Sequence, residues 1–292
     1  MCYNLKTAVC GPNVTDMTDA YAYCYNLTTA VCGDNVTNMY GTYRYCNNLT
    51  AAACGDKVNN MYNAYRDCHS LTTAVCGPNI SRMDNTYHNC HSLTTAACGD
   101  NVTSMIYTYP NCTNLTTAVC GPNVTYMRDT YRGCTNLTTA ACGPNVTNMD
   151  YTYMHCTNLT TAVCGPNVTN MDGAYQNCIN LTTAVCGPNV TNMHVTYYNC
   201  TNLKNCYIYS KILYNASHCF PMTSKNIYVI KNTTAERTCR QQAAYYSDSS
   251  NVSGGVSFID YGSYFHDPNY NIFIYRMNDI AEIDAIRQAN GD

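Results

Sequence analysis

Charge is scarce in this chain: acidic and basic residues together make up 11% of 292 positions, with a formal net charge of -3. That balance leaves no basic footprint of the kind nucleic-acid binding requires. Tryptophan is absent and phenylalanine occurs four times, so the aromatic content is almost entirely its 29 tyrosines. Nowhere do 18 apolar residues follow one another, and no membrane-spanning helix is expected. The opening MCYNLKTAVC lacks a basic stretch followed by an apolar one, so no secretory signal peptide is expected either. Also missing are the phosphate loop, His-Glu-x-x-His, Gly-x-Ser-x-Gly and any paired-carboxylate constellation, which argues against an enzyme. No cofactor is expected.

What the chain has instead is a period. Cysteine stands at Cys2, Cys24, Cys46 and every 22 residues onward to Cys200, and a second row runs from Cys10 through Cys32 and Cys54 to Cys186. One phrase recurs between them, seen cleanly from Cys156 to Asn177 as CTNLTTAVCGPNVTNMDGAYQN. A fixed period of this size marks stacked coils, each packed only on its neighbours. The expected fold is a repeat solenoid of the α+β kind, with 22-residue coils of one short strand plus one short helix or 3₁₀ turn, and a small C-terminal cap. The expected divisions are a regular solenoid over 1–203, degenerate coils and cap over 204–246, and an aromatic-rich segment over 247–292 that ends in an amphipathic helix.

Like cysteines in successive coils should stack into ladders about one strand spacing apart. That spacing permits disulfides, yet buried thiols pack as small apolar side chains without them, and reduced ladders are expected. The Asn-Leu-Thr and Asn-Val-Thr triplets point the same way, since glycans at this spacing would collide. A bacterial or viral protein from a reducing cytosol is the source these features suggest.

Within the copy that begins at Cys156, Ala162 and Cys164 should point inward from the strand while Thr161 and Val163 point outward. Gly165-Pro166-Asn167 should turn the chain. Met171, Ala174, Tyr175 and Cys178 fall at i, i+3, i+4 and i+7, the spacing of one helical face, with Thr169 or Asn167 available to cap its start. The stretch Asn-Val-Thr-Asn-Met-x-x-Thr-Tyr-x-Asn-Cys-Thr-Asn-Leu, from Asn189 to Leu203, resembles the BspA-like leucine-rich repeats of bacterial and phage surface proteins. The resemblance extends over residues 2 to about 230, with shorter repeats and Tyr for the usual Phe. It implies a leucine-rich-repeat fold and a non-catalytic role in adhesion or recognition.

Beyond Leu203, Leu203-x-x-Cys206-x-Ile208 keeps the strand pattern, and Ile227 to Ile230 offers one more strand. Thr233-Thr234-Ala235-Glu236 reads as a capping box opening a helix through Ala244. Tyr270 to Tyr275 is strand-like, and Ile280, Ile283 and Ile286 follow one face of a terminal helix expected to dock on its own domain. The first strand, Leu5 to Cys10, would leave backbone groups open, which makes self-association through this end an expectation.

Internal comparison locates the variable positions after each Met and after each Tyr, which the helical reading turns outward. They supply the candidate binding residues Tyr40, Arg44, Tyr62, Arg66, His88, Ile106, Tyr107, Arg128, Arg132, Tyr151 and His194, types suited to a protein or glycan partner. A solvated face drifting without constraint is the competing explanation. His69, His88 and His91 lie close enough in the repeat for a metal to be considered, but lack stronger ligands, so no metal site is expected. A single outward Thr row beside Val and Ala is too little for an ice-ordering surface. The leading expectation is a recognition or adhesion solenoid, from a phage or a bacterial surface. The alternative is an intracellular protein–protein interaction module, such as a virus-encoded inhibitor of a host factor.

Overall fold

The computed structural model describes residues 2–221, 225–248, 259–260, 264–267 and 272–292. Successive 22-residue copies lie one upon the next with Thr7 opposite Thr29 and Thr161 opposite Thr183. Parallel strands β1 (Thr7–Val9) and β2 (Thr29–Val31) form one short sheet at the start of the stack. At the other end β3 (Thr161–Val163), β4 (Thr183–Cys186), β5 (Asn205–Ile208) and β6 (Lys225–Ile230) form a longer parallel sheet. In β3 the central Ala162 is buried between exposed Thr161 and Val163, the alternation a half-buried strand requires.

Between these sheets the strand wall thins to single bridges, from Ala51–Thr73 to Thr117–Thr139. The cause is a tyrosine. In these middle coils the buried Tyr hydroxyl reaches the strand backbone: Tyr87 donates to the Val75 carbonyl at 2.6 Å and accepts from the Val75 N–H at 2.9 Å. Tyr109 treats Ala97 likewise, as do Tyr131 with Val119 and Tyr153 with Ala141. In β2 and β4 the corresponding carbonyls, of Val31 and Val185, accept instead from Cys10 and Cys164 of the preceding coil. There the hydroxyls of Tyr43 and Tyr197 stay buried without a partner. In these coils one backbone position serves its neighbouring strand or the tyrosine beneath it; in β3 the Val163 carbonyl accepts from Tyr175 at 3.1 Å with the strand still paired to β4.

A second row of parallel bridges, Asp16–Asn38 through Asn192–Asn215, runs along another wall of the coil. The third wall corrects the sequence reading. Met171, Ala174, Tyr175 and Cys178 are all buried, as expected, yet no helix carries them. Two consecutive turns do: the Ala174 N–H donates to the Met171 carbonyl and Cys178 to Tyr175. The third residue of each turn, Gly173 (φ +60) and Asn177 (φ +63), is left-handed. A left-handed residue every fourth position stops helix propagation. The alternate N–H groups, of Met171, Gly173, Tyr175 and Asn177, bond to the next coil. Thr169 and Asn167 therefore cap nothing; they donate across coils to the Thr147 and Pro144 carbonyls. Two four-residue turns and a helix produce the same i, i+4 burial, so periodicity could not separate them.

The core is a set of ladders. Tyr43, Tyr65, Tyr87 and their successors to Tyr197 stack face to face, with centroids 5.3–5.8 Å apart. Leu, Val, Met and Cys ladders surround them. Each buried Leu, Val or Met contributes about 1.5–3 kcal/mol by leaving water. All 22 cysteines are thiols; from Cys46 to Cys200 the inner row donates to a Tyr carbonyl of the preceding coil, as Cys68 does to Tyr43 at 3.0 Å.

At the far end α1 (Thr234–Asp248) closes the core with Ala235 and Cys239. Thr233 accepts from the Glu236 N–H at 3.1 Å, and Glu236 reaches back to the Asn232 N–H. β9 (Ile272–Met277) extends the parallel sheet beside β6, followed antiparallel by β8 (Tyr264–Asp267) and β7 (Ile259–Asp260). The strand expected from Tyr270 is seen from Ile272; Tyr270, Asn271 and residues 249–258 lie outside the described residues. Helix α2 (Ile280–Ala289), capped by Asp279, buries Ile283 against Val185, Tyr207, Tyr209 and Tyr228 on the outer face of the last coils. Asp292 fixes its end, taking hydrogen bonds from Thr183, Asn205 and Tyr207.

Candidate recognition surface

The variable positions fall on the turn wall, where the residue after Met is the second of a turn and the next is left-handed. Asp19, Asn63, Tyr107, Asp129, Tyr151 and Val195 all occupy that left-handed place. Asn, Asp and Gly suit it; a β-branched valine does not. Some of the wall's side chains pair with the neighbouring coil, as Arg44 does with Asp19, and others within their own, as Arg66 does with Asp67.

Tyr40 and Tyr62 are 37% and 39% exposed and stack on each other with centroids 5.4 Å apart. Asn38 and Asn60 hold them by accepting from the Tyr40 and Tyr62 N–H groups, each at 3.1 Å. Arg44 reaches Asp19 at 3.0 Å and lies over the Tyr23 ring. Arg66 pairs with Asp67 at 3.2 Å. His88, beside them, is half-buried; burial first, then the Arg66 charge, pulls its pKa below the usual histidine value, and its Nδ1 has no partner. Arg128 and Arg132 are exposed and flank the buried Asp129 at 3.5 Å each. Burial raises the Asp129 pKa against those two charges.

Ile106 and Tyr107 are half-buried. The Tyr151 ring lies over Gly173, where any Cβ would meet it at 2.3 Å. His194 pairs with Asp172 at 3.0 Å. The candidate residues thus occupy one wall but do not converge on a single point. Tyr40 and Tyr62 form one centre; the Arg128, Asp129 and Arg132 group forms another, several coils away.

Chemistry is restrained elsewhere. Burial pushes the thiols of Cys54, Cys98 and Cys120 up to about 11 and that of Cys46 to about 12, which opposes nucleophilic use. His69 and His91 stack with rings 5.0 Å apart, and His91 Nδ1 faces the Asn111 carbonyl. Among the described residues no three metal-ligating side chains converge, and no helix is long and apolar enough to cross a membrane.

Two features escaped sequence reasoning. A shallow groove of about 700 Å³ runs over five coils along the Asn and Thr of the Asn-Val-Thr triplets, among them Asn123, Thr125, Asn145 and Thr147. A smaller cavity of about 400 Å³ opens beside Tyr40 and Tyr62. Its signal was present in the sequence: the Asn-Val-Thr triplet becomes Lys57-Val58-Asn59 in one coil and Asn79-Ile80-Ser81 in the next.

Coils of this size, with a strand wall, a turn wall and a Leu ladder, define a leucine-rich-repeat solenoid. The family model described as a BspA type leucine rich repeat region matches in six copies, over residues 40–160 and 129–250. The chain belongs to that family. Among solved structures, a leucine-rich repeat protein from Bacteroides ovatus ATCC 8483 is similar at 14% identity and a TM-score of 0.58, over 78% of this chain and 70% of that one. A leucine rich cell surface protein from Faecalibacterium prausnitzii A2-165 matches at 17% identity and a TM-score of 0.43, over 70% and 60%. No curated protein matches the sequence.

Proposed function

We propose that this chain is a non-catalytic recognition or adhesion solenoid that binds a protein or glycan through its turn wall, at the surface of a bacterium or phage. The observation that carries the reading is where variation falls. Core ladders repeat almost unchanged, while the turn wall alternates Tyr, Arg, His and Asp, and exposes two tyrosines side by side. Exposed aromatics and arginine are the types enriched where proteins meet partners. Buried, high-pKa thiols and the absence of a nucleophile–base pair from the motifs support a binding role over catalysis.

The test is a pair of arrays, one of glycans and one of extracellular protein domains, probed with the intact chain and with a variant carrying Ser at Tyr40, Tyr62, Arg128 and Arg132. Saturable binding to one ligand class, lost in the variant, is expected. Two blank arrays would overturn the reading. The alternative, an intracellular interaction module, draws on the 22 free thiols; a thiol count on protein isolated from its natural source separates the two.

A further inference from the structure

We infer that the cavity between the second and fourth coils is a binding site for a neutral hexopyranose unit of a glycan. This rests on the recognition reading above and deepens it by naming the ligand class and its seat. Three departures from the repeat meet at this one place. Tyr40 and Tyr62 form an exposed stacked pair, and the next rung of that row is Asp84, so the stack stops with no third ring. On the adjoining wall the Thr ladder is interrupted. Thr37, Thr103, Thr125, Thr147, Thr169 and Thr191 each donate to a carbonyl of the preceding coil at 3.1–3.3 Å. Asn59 and Ser81 occupy the two places between Thr37 and Thr103, and among the described residues neither side chain makes a hydrogen bond. Both line the cavity with the tyrosines.

Charge then selects the ligand. Arg82 and Asp84, also at the cavity, neutralise each other at 2.5 Å. The remaining Asp84 oxygen accepts from the Ser104 hydroxyl at 2.7 Å and the Ile106 N–H at 3.1 Å. No carboxylate is left for a cation, and the one guanidinium already holds its anion. An apolar side chain from a protein would find tyrosine on one side and bare amide and hydroxyl groups on the other, whose desolvation opposes it. A pyranose answers both: its C–H face lies on an aromatic wall, and its hydroxyls both donate to and accept from an Asn amide and a Ser hydroxyl. The mixture of an aromatic platform with a few convergent polar groups is how small-ligand sites fix orientation.

The experiment titrates the whole protein with the methyl glycosides of glucose, galactose and mannose, followed by saturation-transfer NMR and calorimetry. Four proteins are compared: the natural chain, Tyr62→Ala, the double variant Asn59→Thr with Ser81→Thr, and Tyr126→Ala. The double variant restores the repeat's own residues, so folding is preserved while the free polar groups are removed. Tyr126 is exposed but stands outside the cavity and serves as the control. Saturable binding of at least one glycoside is expected, weakened about tenfold or more by Tyr62→Ala and by the double variant, and unchanged by Tyr126→Ala. No saturation with any glycoside, or equal binding by the double variant, would overturn the assignment. Capture of a protein partner through Tyr40 and Tyr62 without sugar binding would also overturn it, while leaving the recognition reading intact. Blank results with both sugars and proteins would remove both.

Discussion

The second coil and the fifth are built from one pattern, yet they satisfy their backbone differently. In the second, Val31 belongs to a three-residue strand and its carbonyl serves the Cys10 N–H, while the hydroxyl of Tyr43 is buried and unpaired. In the fifth, Tyr109 bonds both backbone groups of Ala97, and the strand shrinks to a bridge. A buried hydroxyl without a partner costs about 1–3 kcal/mol, and a ladder hydrogen bond contributes about 1 kcal/mol net. The two arrangements differ by no more than a few kcal/mol on these figures, and both occur in one repeat. Strand content along this solenoid follows the tyrosine hydroxyls in these coils, although in β3 Val163 keeps its strand while accepting from Tyr175 at 3.1 Å.

That contrast can be broken most strongly at the ring itself. Tyr109→Ala removes a fully buried side chain between two stacked neighbours and should cost about 3–5 kcal/mol, read as a lower denaturation midpoint. The paired changes Tyr87→Phe and Tyr43→Phe sharpen it. Removing the Tyr87 hydroxyl strands the Val75 N–H and C=O and should destabilise by about 1 kcal/mol; removing the Tyr43 hydroxyl deletes an orphan and should stabilise by a similar amount. Amide exchange at Val75 reports whether the strand re-forms. Equal and opposite-to-expected shifts would refute the competition.

Val195, in a coil with an intact strand, sits at φ +45, a strained place for a β-branched residue. Val195→Asn, the type found at Asn63 and Asn85, should raise stability by about 1 kcal/mol in thermal unfolding. The smallest effect is expected at His88 in the middle coils. Its folded pKa is lowered, so its contribution is present above the ordinary value of 6.5 and is lost as pH falls through the lowered one. His88→Gln should flatten the stability profile below about pH 6.5, and an unchanged acid limb would show that the histidine is already solvated in the fold.

Much of this was legible in the chain. The period placed Leu, Met, Tyr and Cys in ladders, the alternation of Thr161, Ala162 and Val163 gave the strand its faces, and the Thr233 to Glu236 pattern opened α1. Of the short helix or 3₁₀ turn expected in each coil, the structure has no helix but two successive i to i+3 turns, because burial at i, i+3, i+4 and i+7 follows from these as well. The left-handed residues were the available clue: Gly, Asn and Asp recur at Asp19, Gly41, Asn63 and Asn85. The fate of the tyrosine hydroxyls was not legible, since it depends on a backbone group 12 residues upstream that has two suitors. The cavity was legible as a departure from Asn-Val-Thr at Asn59 and Ser81, but its meaning needed the neighbouring tyrosines to be brought beside it.

The turn wall hands its N–H groups forward, and the Thr wall hands its own back, as Met17 does to Asn38 and Thr28 to Lys6. Every coil is thereby both plug and socket, made to one gauge. A gene that gained or lost 22 codons would add or remove one interchangeable part without inventing a new joint, whereas a single-codon change has to be taken up within one coil, as at the far end, where Asn192 pairs 23 residues on with Asn215 and Asn205 pairs 21 residues on with Asn226. Length in such a molecule is adjustable in whole steps, and the spacing between the tyrosine cavity and the arginine pair could be reset by the same means.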